Sequence, residues 1–254
     1  MTVGTLGRGA GTLALLLAVA AGCGPTADAA PDDAEAQAAA VSQEAHNVLT
    51  EAERAEGWRL LFDGETLDGW RVFGRDGMSE GWAVVDGNLT RVADGARDII
   101  TMDQFQDFEL SLEWMVEEGG NSGILYRVSE EVDRIFEGAP EMQVLDDANH
   151  VDGGDPRTSA GANYALHAAP RGVVRPAGEW NQARIRVEGN HVTHWLNGVV
   201  TSEYELGSED WKARVAASKF AQWPEYGTYG VGHIGLQDHG DRVSYRDIKI
   251  RELN

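Results

Sequence analysis

Phe108-Glu109-Leu110-Ser111-Leu112-Glu113-Trp114-Met115-Val116 is the stretch that decides the fold class. Phe108, Leu110, Leu112, Trp114 and Val116 alternate with Glu109, Ser111, Glu113, Met115 and Glu117, so a strand would put the apolar set on one face and leave the other wet. A helix would scatter the same residues around its circumference. Working outward, Trp82 to Val85, the turn residues Asp86-Gly87-Asn88, and Leu89 to Val92 read as a hairpin. Ile185 to Val187 and Val192 to Trp195 flank Glu188-Gly189-Asn190 in the same way, and Asn197-Gly198 turns the chain again. Near the C-terminus Val243 and Tyr245 are in phase, while Ile248 and Ile250 are out of phase by one residue, which predicts a bulge near Arg246-Asp247. Ser208 to Ala217 is read as a helix capped by Ser208, with Trp211 and Val215 four apart. Many short antiparallel strands with one short helix in the body predict an all-β sandwich of two antiparallel sheets, of jelly-roll type.

The body is read as residues 48–254. Thr50-Glu51-Ala52-Glu53 has capping-box spacing and starts a helical turn that stops at Gly57. Residues 23–47 are rich in Ala, Asp, Glu and Gln and carry no aromatic residue, so they are read as a disordered tether that buries too little apolar surface to order itself. Residues 1–22 read as a signal peptide, with Arg8 ahead of an apolar run too short to span a bilayer. Ala21-Gly22-Cys23 resembles the lipobox of bacterial lipoproteins, which makes Cys23, the chain's single cysteine, a lipidation site. The expectation is an exported lipoprotein, periplasmic or at the cell surface, held to the membrane through its lipid alone.

Charge narrows the partners. With 21 Lys plus Arg against 42 Asp plus Glu, the formal charge is −21. Nucleic acids and anionic lipid headgroups are met by basic surfaces, so neither suits this body, whereas a neutral or cationic ligand does.

From Gly57-Trp58-Arg59-Leu60-Leu61-Phe62-Asp63-Gly64 through Leu67-Asp68-Gly69-Trp70, the body resembles the opening of the bacterial 3-keto-disaccharide hydrolase domain family. Further matching segments follow in order. They are Asn121-Ser122-Gly123-Ile124, Glu141-Met142-Gln143-Val144-Leu145-Asp146, Ala177-Gly178-Glu179-Trp180-Asn181, Leu196-Asn197-Gly198, and Gly232 to Gly240. The resemblance implies a concanavalin A-like sandwich, usually exported, that cleaves glycosides whose ring carries a ketone at C3. A separate sugar 3-dehydrogenase would then supply the substrate, because the chain has no dinucleotide-binding glycine pattern.

Glu141 and Gln143 lie two apart and share a strand face, and a bulge would bring Asp146, five from Glu141, onto that face. The zero, two, five spacing resembles the catalytic strand of laminarinase-like glucanases, with Gln143 where that family has an Asp. Glu141 and Asp146 are therefore catalytic candidates, and His239, which lies in the family-like segment Gly232 to Gly240, is the third. Asn121, Arg127, Gln143, His150, Tyr164, Lys219 and Gln237 are the substrate-binding candidates. The run from Asp146 to Asp155 has enough oxygen ligands for a divalent cation, although its spacing does not fit an EF-hand. Three function classes stay open: a hydrolase or lyase acting on 3-keto glycosides, a conventional glycosidase, and a lectin-like carbohydrate-binding module.

Overall fold

A computed structural model describes residues 45–253. The signal-like stretch, Cys23 and most of the tether lie outside the described residues. At the start of the described chain, Asn47 is pinned to the body. Its backbone N–H donates to Asp247 Oδ1 (2.5 Å), its amide donates to the Gly87 carbonyl (2.8 Å), and its Oδ1 accepts the Asp247 N–H (2.8 Å). The capping box then forms as predicted, with Thr50 and Glu53 bonding reciprocally at the start of α1 (Glu51–Ala55).

Thirteen strands follow among the described residues: β1 (Arg59–Leu60), β2 (Trp70–Val72), β3 (Trp82–Val85), β4 (Asn88–Arg91), β5 (Ile99–Thr101), β6 (Phe108–Val116), β7 (Asn121–Val128), β8 (Glu141–Leu145), β9 (Asn181–Glu188), β10 (His191–Leu196), β11 (Val199–Glu205), β12 (His233–Leu236) and β13 (Val243–Glu252). They form two antiparallel sheets. The larger runs β11-β10-β9-β6-β13-β4-β3, with β1 also on β13, and the smaller runs β2-β5-β12-β7-β8. The two-residue turns Asp86-Gly87 and Asn197-Gly198 take positive φ at both positions, as tight hairpins with the native strand twist require. The register of β13 on β6 shifts between Arg246 and Lys249, with Asp247 at φ 52°, which is the predicted bulge. It lets the first half of β13 pair with β4 and the second half with β1.

The core lies between the sheets. Leu110, Leu112 and Trp114 of β6 meet Ile124, Tyr126, Met142 and Val144 from the smaller sheet. The other face of β6 is drier than its alternation predicts, because Glu109 is only 2% exposed. Arg184 of β9 and Arg251 of β13 lie across it at 2.5 and 2.9 Å, so long basic side chains from the flanking strands take the place of water. The single helix expected in the body is there as α3 (Glu209–Ala216), capped by Ser208 as predicted. A second one was not expected: α2 (Ile135–Gly138) packs Ile135 onto the outer face of the smaller sheet, against Ile100, Leu125 and Val128. That cover buries the outer face of β7 around Leu125 and Val128, while the 161–164 segment lies along β8.

Candidate active site

The outer face of the smaller sheet has a row structure set by register. Arg71, Ile100, Gly235, Leu125 and Glu141 stand side by side across β2, β5, β12, β7 and β8. One step along, the Gln237 N–H donates to the Gly123 carbonyl (3.0 Å), and Gly123 pairs with Gln143. Where a strand residue lacks a side chain, its neighbour can lie over it. A Cβ on Gly123 would be 2.1 Å from Glu141 Oε1, so Gly123 is the cradle in which the Glu141 carboxyl rests.

Above this cradle is a cavity of about 160 Å³ lined by Asn121, Phe136, Glu141, Gln143, Tyr164, Lys219, Gln237 and His239. Tyr164 is held there by its backbone N–H, which donates to the Glu141 carbonyl (3.0 Å). Lys219 starts a 3-10 turn, Lys219–Gln222, that Ser218 caps, and its Nζ stands 4.3 Å from the centre of the Tyr164 ring. The Gln143 amide lies between its neighbours, 3.3 Å from Asn121 Oδ1 on one side and 3.2 Å from Glu141 Oε1 on the other.

The electrostatics of this cavity favour a neutral Glu141. Burial pushes its carboxyl up to about 8; the nearby Lys219 charge pulls down and Asp98 pushes further up. Lys219 moves the opposite way, lowered by burial and partly restored by Glu141 and Asp152. Burial, with Asp152 and Glu141 nearby, raises the Tyr164 phenol to about 12, so it stays protonated and donates to Asp152 (3.4 Å). At neutral pH the cavity therefore holds a carboxylic acid and a phenol, beside the Lys219 amine and three amides.

Six of the sequence-predicted residues besides Glu141 line this cavity: Asn121, Gln143, Tyr164, Lys219, Gln237 and His239. His150 stands at its rim, with Nε2 3.4 Å from the Asn121 amide and its ring 6.2 Å from that of His239. Two predicted residues are elsewhere. Asp146 does not turn back onto the face of Glu141; its carboxylate closes the loop after β8 by accepting from the Gly119 N–H (2.8 Å), the Ala148 N–H (3.1 Å) and the Asn149 amide (2.7 Å). Burial pushes that carboxyl up, but these hydrogen bonds together outweigh it and hold it below the usual range. Arg127 falls on a bulge, where β12 steps from Val128 to Leu125 of β7 and φ at Arg127 is 53°. Its side chain donates to the carbonyls of Gly189 (2.6 Å) and Gln106 (3.2 Å), away from Glu141.

The Asp146 to Asp155 run does not form a cation site among the described residues, because its carboxylates diverge. Asp147 caps the Ala160 N–H (2.8 Å), Asp152 takes the Tyr164 hydroxyl, and Asp155 pairs with Arg157 (2.8 Å). Sequence reasoning missed Phe136 and Gly123. Phe136 sits in a four-residue helix too short to show a period, and Gly123 looks like any turn glycine until its strand partner is known. Gly123→Ala is expected to displace the Glu141 carboxyl and lower activity at least about tenfold while leaving the melting temperature near that of the parent, a split that parallel kinetics and calorimetry would read.

Residues 57–251 match the family model of the 3-keto-alpha-glucoside-1,2-lyase-like domain. A 3-keto-disaccharide hydrolase of Bacteroides thetaiotaomicron is 37% identical over 191 residues, a stretch covering 66% of this chain and 66%, just under two thirds, of that relative. Among solved structures, a candidate glycosyl hydrolase from Parabacteroides distasonis is 36% identical with a TM-score of 0.77, covering 83% of this chain and 100% of the other. A second from the same organism is 30% identical with a TM-score of 0.63, over 77% of this chain and 99% of its own. The ordered segments, the sandwich and these matches agree: the chain belongs to the 3-keto-alpha-glucoside-1,2-lyase-like domain family.

Proposed function

We propose that this protein is a carbohydrate-active enzyme that cleaves 3-keto glycosides by elimination at C1–C2. The observation that carries this reading is the single carboxyl group, Glu141, in a cavity whose other lining residues are amides, a phenol, an imidazole, an amine and one aromatic ring. Conventional retaining and inverting glycosidases need two carboxyls facing one bond, about 5–5.5 Å or 6.5–9.5 Å apart. With Asp146 turned into its loop, that pair is not present in this cavity. A 3-keto sugar needs no such pair, because its ketone makes the C2 hydrogen acidic.

The step assigns His239 as base. Its imidazole takes the C2 proton, and the C2–H electrons form a C2=C3 enolate whose charge rests on the C3 oxygen. Lys219 Nζ and the amides of Asn121 and Gln143 are the donors for that oxygen. As the enolate collapses, the C3 carbonyl reforms, a C1=C2 double bond forms, and the C1–O bond breaks. Protonated Glu141 gives its proton to the departing oxygen, which its raised pKa suits near neutral pH. Addition of water across C1=C2 then yields the 3-keto sugar, so the same site accounts for lyase and hydrolase outcomes. Purified protein is expected to cleave a 3-keto-disaccharide and leave the unoxidised parent intact; equal cleavage of the parent would overturn the reading.

The same proposal places the protein outside the cytoplasm, anchored by lipid on Cys23, with the oxidising step done by another protein. It rests on the Ala21-Gly22-Cys23 segment behind its apolar run. Cys23→Ser is expected to move the protein from the membrane fraction to the soluble fraction with activity intact; retention in the membrane would refute lipid anchoring.

A further inference from the structure

At about 160 Å³ the Glu141 cavity is smaller than the ~300–1,000 Å³ of sites that enclose a whole ligand. It offers space for one sugar ring, and a glycoside has a second part. Beyond Phe136 the same sheet face opens into a compartment of about 470 Å³, and Phe136 lines both. The floor between them is continuous. Asp98, the residue before β5, accepts the Asp238 N–H (2.9 Å), and Gln237 beside it bonds Gly123, the cradle of Glu141.

We infer that the compartment on the Asp98 side of Phe136 receives the group that departs from C1, and that it is built for a second sugar ring. This rests on the glycoside-cleaving reading above and adds where the leaving sugar is held. Arg75, Arg97 and Arg134 bring only donors to this compartment, and Asp98 brings an acceptor. Three other carboxylates line it: Glu130 takes both arms of Arg71 (2.6 Å each), Asp238 pairs with Arg91 (3.0 Å), and Asp133 is a second, exposed acceptor. A sugar hydroxyl both donates and accepts, so a neutral polyol satisfies guanidinium and carboxylate together. An apolar aglycone would strip these groups of water without replacing it, and an anionic one would meet Asp98. Phe136 is fixed between the two rings' places, with Trp223 edge-on against it (5.5 Å) and the Arg134 guanidinium 5.9 Å from its centre. Burial supports a polar contact at Asp98, whose carboxyl it raises to about 6 against the Asp238 N–H, which lowers it, with the Asp238 charge adding to the rise.

The test compares a 3-keto-disaccharide with the corresponding 3-keto methyl glycoside, in the parent protein and in an Arg97→Ala/Arg134→Ala variant. Both arginines are exposed, so the variant is expected to fold. The parent should favour the disaccharide, and the variant should lose about tenfold or more in kcat/KM on it while keeping its rate on the methyl glycoside. A parallel loss on both substrates, or no loss on either, would overturn the inference and leave the chemistry at Glu141 standing. Should the parent cleave neither substrate, the cleavage reading fails separately, and calorimetric binding of the disaccharide decides the compartment: weaker binding by the variant supports a sugar site, and equal binding refutes it.

Discussion

Glu141→Gln is expected to lower turnover of a 3-keto glycoside by about 100-fold or more while leaving the sandwich folded. The substitution keeps shape and hydrogen-bonding capacity but removes the proton that the departing oxygen needs. It also changes the pH dependence in a defined direction. In the folded protein the Glu141 carboxyl is raised from 4.5 to about 8, so its acid form is present below about pH 8 and lost as pH rises through that value. The alkaline fall in parent activity should follow that limb, and the residual activity of the variant should lack it. Stability obeys the same sign. A folded-state pKa above the unfolded one stabilises fully below about 4.5, and that contribution is lost as pH rises through 8. Parent and variant should therefore melt together below about pH 4, and the variant should melt higher at pH 9. An unchanged rate in Glu141→Gln would remove this residue from the chemistry.

Trp114→Ala is expected to cost roughly 3–5 kcal/mol, the largest single effect on stability predicted here. Trp114 is 0% exposed on β6, flanked in register by Tyr245 of β13 and Asn181 of β9. Removing the indole from the centre of the larger sheet opens a cavity that two strands cannot close without breaking their ladder. For a body of about 200 residues this amounts to a drop of ~6–20 °C in melting temperature. The Trp114 Nε1–H has no partner, so Trp114→Phe should cost much less than Trp114→Ala, because it also removes a buried unsatisfied donor. Similar losses for Ala and Phe would show that the site does not depend on packed volume.

The parts of the fold legible in the sequence are those where one physical signal acts alone. β6 was readable because its two faces differ, the hairpin turns because Asn and Gly accept positive φ, and the β13 bulge because the apolar phase slips by one residue. Signal fails where a second layer covers the sheet. Asn121 to Val128 and Glu141 to Leu145 are buried on both faces, so alternation does not say which side chains face the cavity. Arg127 shows the cost: in a regular strand it would share the face of Asn121 and Gly123, but a one-residue bulge sends it to the Gly189 and Gln106 carbonyls. Asp146 fails for a related reason. Strand period places a residue only as far as the strand extends, and β8 ends at Leu145, after which Ala148 and Asn149 of the loop and Gly119 of the β6–β7 turn capture the carboxylate. His239, Tyr164 and Lys219 come from separate segments that spacing cannot bring together; a family-like segment marked His239 and its positive charge marked Lys219, and folding placed all three around Glu141.

Elimination requires that the C2 hydrogen be removed before the C1–O bond breaks. It is tested most directly with a 3-keto-disaccharide carrying deuterium at C2, turned over in ordinary water and followed by NMR of the released sugar. Elimination followed by hydration predicts that the product loses its C2 deuterium at the rate of cleavage and passes through an unsaturated 3-keto intermediate. Deuterium retained in full at C2, with cleavage proceeding normally, would contradict elimination and point to displacement at C1 instead.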